Sequence, residues 1–392
     1  MKKIFLVMAM SVAAFSLSAQ GELERILTEV EANNASLAAL RKLRDAQTVG
    51  ARVGNSLENP EVEFSYKWND PSSLGTTGEI SVSQPFDFPT VYAHRNKLAK
   101  LQAEKYGYEY QASRQELLLE AQKLYIEIVS LKRTTSVLEF LADNAREIAK
   151  VYAEKLDVGD ANILESNEAN FTLISQDNAL KMARVQLQSA TERLTGLNGG
   201  IEVKIDADDF GELPILGLLD EILAEYMELS PELRALAVEK RAAERDIKLS
   251  RSLSLPKLSV GYSHEFSKED KSNGLSVGMS IPMFGNRNNV KRAKAQDEYA
   301  EASLKSATLD VETRIREQYA QAQIIRESLV KYESMLDLEQ AVEFARKALD
   351  AGRISITEYF SQVQPIYEAH LTIMELQRDY LLAFAQINSI RL

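Results

Sequence analysis

There is no cysteine in the 392 residues, so disulfides, cysteine-ligated metal and thiol catalysis are excluded at once. Histidine is nearly as scarce, with His94, His264 and His370 making up all 3. They stand in separate segments with no second histidine at i+3 or i+4, so they form no shared metal site. Only 9 prolines and 17 glycines occur, which favours long uninterrupted elements over a loop-rich fold. Positive charge is also short: 46 Lys and Arg stand against 58 Asp and Glu, for a net charge of −12. Nucleic-acid binders concentrate positive charge against phosphates, so a nucleic-acid partner is excluded. Past residue 20 no apolar run approaches the roughly 18 to 20 residues of a transmembrane helix. No Gly-x-Ser-x-Gly elbow, phosphate-binding glycine loop or histidine ligand set is present, so neither an enzyme nor a cofactor is expected.

What is present begins with a leader. Met1-Lys2-Lys3 is a short basic start, residues 4–10 are apolar, and small residues lead to Ser18-Ala19-Gln20. This pattern predicts a secretory signal peptide over 1–19, cleaved after Ala19. A buried N-terminal helix is the other reading, and the lysine pair and small-residue exit weigh against it. A lipid anchor would need a cysteine at the cleavage point, so none is expected. An exported chain of this kind either stays soluble or enters a membrane as β-strands.

The rest is written twice. Without a gap Ile26 falls on Ile222, Leu27 on Leu223, Leu37 on Leu233, Ala46 on Ala242, Pro60 on Pro256 and Tyr66 on Tyr262. With small shifts Pro85 meets Pro282, Arg95 meets Arg292, Gly159 meets Gly352 and Glu165 meets Glu358. Each half reads helix, two strands, long helix, turn, helix. The predicted organisation is a first repeat over 20–198, a linker over 199–216 and a second repeat over 217–392.

Helical seams run through both halves. Leu117, Ala121, Leu124, Ile128, Leu131, Thr135 and Leu138 alternate steps of four and three, as do Ile315, Tyr319, Ala322, Ile325, Leu329, Tyr332 and Leu336 with one exception. No Pro or Gly interrupts 111–155 or 286–350. A helix over about 90–155 would be on the order of 100 Å long at 1.5 Å per residue, a rod and not a globular helix.

Four short segments alternate instead. Val62, Phe64, Tyr66 and Trp68 share one face, Ile80 and Val82 another short one, then Leu258, Val260, Tyr262 and Phe266, and Leu275, Val277, Met279 and Ile281. Polar loops over 69–75 and 267–274 join them. Strands of roughly 9 to 11 residues with one apolar side are what an outer-membrane barrel requires. Alternation alone fits equally a half-buried hairpin on a soluble domain. Two features favour the membrane: the hairpins lie between very long helices with no further core-forming sequence, and the lone tryptophan, Trp68, sits near a strand end, where an aromatic girdle would be. Four strands cannot close a barrel, whose smallest form has about eight, so protomers would have to share one.

This pattern resembles the TolC-like outer-membrane efflux channels, and within them the shorter heavy-metal branch typified by CzcC and CusC. The resemblance spans nearly the whole chain after the leader. It rests on the duplication, on the helix openings Asn33-Asn34-Ala35-Ser36-Leu37 and Leu229-Ser230-Pro231-Glu232-Leu233, on Asn59-Pro60 and Leu255-Pro256 before the strands, and on the Gly159 and Gly352 turns. It implies a mostly α fold with a small β part: duplicated long-helix hairpins form an α-barrel tunnel, and four strands per protomer join a shared twelve-stranded trimeric barrel. It implies a passive homotrimeric exit duct set in outer-membrane lipid with a large periplasmic extension. The implied partners are a periplasmic adaptor protein and an inner-membrane pump of the resistance-nodulation-division type, and the implied cargo is heavy-metal cations.

The same resemblance suggests working parts. The tips Val158, Gly159, Asp160 and Ala161, with Ala351, Gly352, Arg353, Ile354 and Ser355, fall where family members meet the adaptor. Glycine is needed at any tight helical reversal, so the residues alone fit a plain hairpin turn equally. Glu165, Glu168 and Glu358 fall where family members narrow the closed tunnel, but Ser361 stands where an acidic residue would complete the second pair. Asn162-x-x-Glu165 and Ser355-x-x-Glu358 also match N-terminal capping patterns. Pro365 lies inside the helix after the second tip, where it serves either an opening motion or a fixed bend. The outward barrel face would comprise Val62, Phe64, Tyr66, Trp68, Ile80, Val82, Leu258, Val260, Tyr262, Leu275, Val277 and Met279.

Two other readings remain at this point. A type I secretion or drug efflux duct keeps the fold and changes the partner, and a soluble periplasmic coiled-coil scaffold gives up the membrane.

Overall fold

A computed structural model describes residues 17–68, 75–267, 270–282, 288–333 and 338–392, with no side-chain description at 17–20, 333 and 338–340. Most of the predicted leader, the hairpin residues 69–74 and 268–269, and Leu336 of the second seam lie outside the described residues.

The first half contains α1 (Leu17–Asn33), α2 (Ala35–Gly50), β1 (Glu61–Trp68), β2 (Thr76–Phe86), α3 (Pro89–Val158) and α4 (Ile163–Leu197). The second contains α5 (Leu219–Leu229), α6 (Pro231–Ser252), β3 (Lys257–Ser267), β4 (Lys271–Ser280), α7 (Asn289–Glu333), α8 (Leu338–Asp350) and α9 (Ile356–Ile387). The opening helix of each half, expected as one, is two. Asn34 Oδ1 accepts from the Leu37 amide at 2.8 Å and Ser230 Oγ from the Leu233 amide at 3.3 Å, so each side chain starts a new helix at equivalent places in the repeat. The long helix of the first half is α3, with 70 residues; its counterpart is described as α7 and α8.

The strands also outrun the expectation. The loop predicted over 267–274 is mostly ladder, since β3 ends at Ser267 and β4 begins at Lys271. Backbone pairing continues after the apolar stripe stops, and the stripe is all that sequence alternation can reveal. β1, with 8 residues, falls just short of the expected length, while β2, β3 and β4 have 11, 11 and 10.

Two compact units emerge, each assembled from both halves: Met1–Leu37, Ser113–Glu228 and Glu312–Leu392 in one, Ala38–Ala112 and Leu229–Val311 in the other. In the first, the predicted seams point mostly inward, with Tyr332 the exposed exception. Ala121, Leu124, Ile128, Ile315, Ala322 and Leu329 are almost fully buried. Leu23, Ile26 and Val30 of α1 pack on Leu124, Val129, Leu194 and Leu381. The segment after α4 joins this core through Val203 and Phe210, and Lys132 Nζ holds it by donating to the Ile205 and Ala207 carbonyls at 3.0 and 3.1 Å.

The second unit is built on a four-stranded antiparallel sheet in the order β1-β2-β3-β4. Beside it α6 meets the first part of α3 through Lys105–Glu239 at 3.0 Å, Arg241–Glu104 at 2.8 Å and the Arg234 guanidinium over the Tyr108 ring. At the foot of the sheet Asp87 is only 3% exposed. Its Oδ2 has no hydrogen bond of good geometry but meets Arg95 Nη1 as an ion pair at 2.7 Å, and Oδ1 lies 3.4 Å from Lys257 Nζ.

Candidate functional site

Two features carry the chemistry, one in each unit. In the first unit both hairpin reversals have the same construction. Gly159 has φ 84° and Gly352 φ 64°, the left-handed conformation that ends a helix. Asp160 N–H donates to the Lys155 carbonyl at 2.8 Å and Arg353 N–H to the Ala348 carbonyl at 2.9 Å, with Gly159 to Leu156 and Gly352 to Leu349 inside them. These are two complete Schellman motifs. Three residues later each chain re-enters a helix through a capping box. Asn162 Oδ1 accepts from the Leu164 and Glu165 amides while Glu165 Oε2 accepts from the Asn162 amide at 2.8 Å. Ser355 Oγ accepts from the Glu358 amide while Glu358 Oε2 accepts from the Ser355 amide at 2.8 Å.

The capping boxes decide where the predicted carboxylates point. Glu165 and Glu358 both turn back onto their own helix starts. The bonds from the Ser355 amide and hydroxyl hold the Glu358 carboxyl below the usual carboxylate range. Glu168 instead accepts from Thr357 Oγ1 at 2.5 Å, which joins α4 to α9. Burial, then the charges of Glu165 and Glu168, raise the Tyr152 hydroxyl above its ordinary value. The structure brings Glu168 and the start of α9 together, while Glu165 and Glu358 each bond their own helix start.

Beneath the turns Ile148, Tyr152, Ala169, Leu349, Ile356, Tyr359 and Val363 form a core against which Ala161 and Ile354 are partly buried. Val158, Gly159, Asp160, Ala351, Gly352, Arg353 and Ser355 are exposed. Sequence reasoning missed a polar chain here: Asn144 Nδ2 donates to Tyr359 Oη at 3.0 Å, and Arg346 Nη1 donates to Asn144 Oδ1 at 2.8 Å. Its members come from α3, α8 and α9, and no local spacing announces it. Pro365 lies inside α9 as predicted. The three histidines remain apart: His94 faces Arg245, His264 faces Asn273, and His370 is on α9. Among the described residues no group of three or more metal-capable side chains occurs.

In the second unit the register places the alternating residues on one face of the sheet. Val62 pairs with Val82 and Phe64 with Ile80; Val82 pairs with Tyr262; Leu258, Val260 and Tyr262 pair with Met279, Val277 and Leu275. This face is exposed, reaching 76% at Trp68 and 86% at Leu275. Exposed apolar surface on this scale marks a partner or a membrane. The opposite face is polar: Glu61, Glu63, Lys67 and Glu79 on β1 and β2 and Lys257 and Glu265 on β3, with a stretch of small residues between β3 and β4. Ser259 pairs with Gly278, Gly261 with Ser276 and Ser263 with Gly274. A Cβ built on Gly278 would lie 2.5 Å from Ser259 Oγ, and one on Gly261 2.6 Å from Ser276 Oγ. Glycine is required there because the opposing serine occupies the space.

The comparisons with known proteins agree with this arrangement. A family model described as "Outer membrane efflux protein" matches residues 26–200 and 222–390. The outer membrane protein TolC of Vibrio cholerae is 21% identical over 395 residues, 93% of this chain and 89% of that protein. The CmeC outer membrane channel of Campylobacter jejuni superposes with a TM-score of 0.78 at 17% identity, over 94% of this chain and 85% of that one. The CusC structure gives a TM-score of 0.74 at 16% identity, over 94% and 90%.

Proposed function

The chain belongs to the outer membrane efflux protein family, and from that premise we propose how it is assembled into a working duct and what it carries. As a member it is an outer-membrane efflux channel of the Gram-negative envelope with a large periplasmic extension, a passage and not an enzyme.

Three copies share one barrel. The reading rests on the sheet, whose apolar face is exposed and whose outer strands β1 and β4 each have one edge without a strand partner among the described residues. In a bilayer every unsatisfied backbone group costs several kcal/mol, so such edges must be closed by neighbours. Three copies supply twelve strands. The face of Val62, Phe64, Tyr66, Trp68, Ile80, Val82, Leu258, Val260, Tyr262, Leu275, Val277 and Met279 then meets lipid, and the serine–glycine face lines the lumen. The mature chain starts after Ala19, with repeats over 20–198 and 217–392 joined by the linker 199–216.

The exposed tip residues Val158, Gly159, Asp160, Ala351, Gly352, Arg353 and Ser355 receive the helical hairpin of a periplasmic adaptor, while Ala161 and Ile354 support them from below. Glu165, Glu168 and Glu358 sit next to these tips and give that end of the passage a negative field that favours cations. The pump is of the resistance-nodulation-division type and the cargo heavy-metal cations. The acidic surplus and the likeness to the heavy-metal branch support this reading.

Light scattering of the protein extracted from outer membranes tests the assembly. Three protomer masses are expected, and a monomer released by osmotic shock overturns the shared barrel. Loss of resistance to copper or zinc on deletion of the gene tests the cargo, and unchanged resistance to every divalent metal overturns it.

A further inference from the structure

Between α3, α8 and α9 the helical unit holds a cavity of about 570 Å³. Its walls include Val137 and Phe140 of α3, Val342 of α8, and Ile366 and Tyr367 of α9. The Phe140 and Tyr367 rings stand 6.4 Å apart at 52°, and Phe140 is 60% exposed although it sits in the wall of a core helix. The size lies within the roughly 300 to 1,000 Å³ of small-molecule pockets.

Ser136 and His370 also line the wall, and the Tyr367 hydroxyl is buried there without a hydrogen-bond partner, while the other polar groups are engaged with one another. Asn144 lies between Tyr359 and Arg346. The Arg346 guanidinium also meets Glu147 at 3.4 Å and Asp350 at 3.2 Å, and Glu343 meets Lys347 at 2.5 Å. Water confined in apolar surroundings needs about two to four polar partners to be well held. Here Asn144, Tyr359, Arg346 and Glu343 are already bonded, and the Tyr367 hydroxyl gives water one partner, so apolar matter displaces it at little loss. An anion would compete with the carboxylates that already neutralise Arg346, and a cation would face that guanidinium.

We propose that this cavity is a binding site for an uncharged planar aromatic molecule of naphthalene size, lying against Phe140 and Tyr367 and bridging α3, α8 and α9. The assignment concerns the helical wall and goes beyond the transport reading.

The absence of native cysteine makes a direct test simple. Val137→Cys places a single thiol in the wall, and Lys181→Cys on exposed α4 serves as a control, both in the full-length extracted protein. Naphthalene at four times its dissociation constant should slow maleimide labelling of Val137→Cys roughly fivefold, by simple mass action, and leave Lys181→Cys unchanged. 1-Naphthoate, of the same shape but charged, should protect much less. Adding Phe140→Ala should weaken the naphthalene protection. Val342→Trp, which fills the cavity with a side chain of the protein itself, should slow labelling without ligand and remove the naphthalene effect. No protection at Val137→Cys, equal protection of both thiols, or naphthoate matching naphthalene overturns the proposal.

Discussion

Thr357 Oγ1 donates to Glu168 Oε2 at 2.5 Å, so the first turn after one hairpin tip is bonded to the helix that follows the other. The two residues are 189 apart in sequence and belong to different repeats. The bond crosses between hairpins that the backbone connects only through the long segment between α4 and α9.

Removing that bond should loosen the tips without touching the fold. Thr357→Val keeps the shape and loses the hydroxyl, at a cost of about 1 kcal/mol or less for a partly exposed pair. Amide exchange in the first turns of α4 and α9 should quicken severalfold, and single-channel conductance in planar bilayers should rise. The trimer mass should stay the same. Unaltered exchange at both turns would show that the bond restrains nothing.

The tip glycines give a cleaner energetic prediction. A Cβ added to Gly159 or Gly352 meets nothing within 4 Å, so the cost of alanine is that of the left-handed backbone alone. That amounts to about 1 to 2 kcal/mol per site. Gly107, inside α3 and also with open space around its Cβ, provides the opposite case. Gly107→Ala should stabilise by about 0.5 to 1 kcal/mol, as alanine does in a helix interior. Thermal unfolding followed by circular dichroism should show the opposite signs.

The sequence announced both turns because glycine, then a capping residue three positions later, is a local signal. It announced the sheet for the same reason: alternation at Val62, Phe64, Tyr66 and Trp68 is visible in a few residues. The segments at Asn34 and Ser230 read as helix openings, yet the sequence does not separate α1 from α2, because the apolar period of α1 continues into α2. The Asn144–Tyr359–Arg346 chain and the Thr357–Glu168 bond had no signal at all. Each depends on helices meeting at a particular rotation, and that is set by packing across the whole unit.

Glu358 gives the tip a pH dependence. Its folded carboxyl is held below the ordinary value by the Ser355 amide and hydroxyl. A depressed carboxylate contributes stabilisation that is complete above the unfolded value and is lost as pH falls through the folded one. Exchange protection of the first turn of α9 should therefore hold at neutral pH and decline below the ordinary carboxylate range. Ser355→Ala should flatten that dependence, and a profile unchanged by the substitution would refute the assignment.

At the foot of the sheet, Asp87→Asn leaves Arg95 without its buried counter-charge, while Lys257 keeps Glu58 at 2.7 Å. Breaking a buried pair costs about 3 to 5 kcal/mol, and the partial exposure of Arg95 should bring this nearer 2. A double-mutant cycle with Arg95→Gln, read by urea unfolding, should show strong coupling, because Asp87 Oδ2 meets only that guanidinium closely. Additive effects would mean that the pair is incidental.

On the polar face of β3 and β4 each glycine lies opposite a serine that fills its missing Cβ position. A wall made this way is nearly as thin as a polypeptide can be. The long side chains of this face, Lys257 and Glu265 on β3 and Glu61, Glu63, Lys67 and Glu79 on β1 and β2, stand apart from the serine–glycine stretch between Ser259 and Ser263. Over that stretch the surface is set by the backbone ladder, and Gly261→Ala or Gly278→Ala would push against the facing serine. That stretch therefore varies less with side-chain rotamer than the charged rows beside it, and its width is a property of the strands themselves.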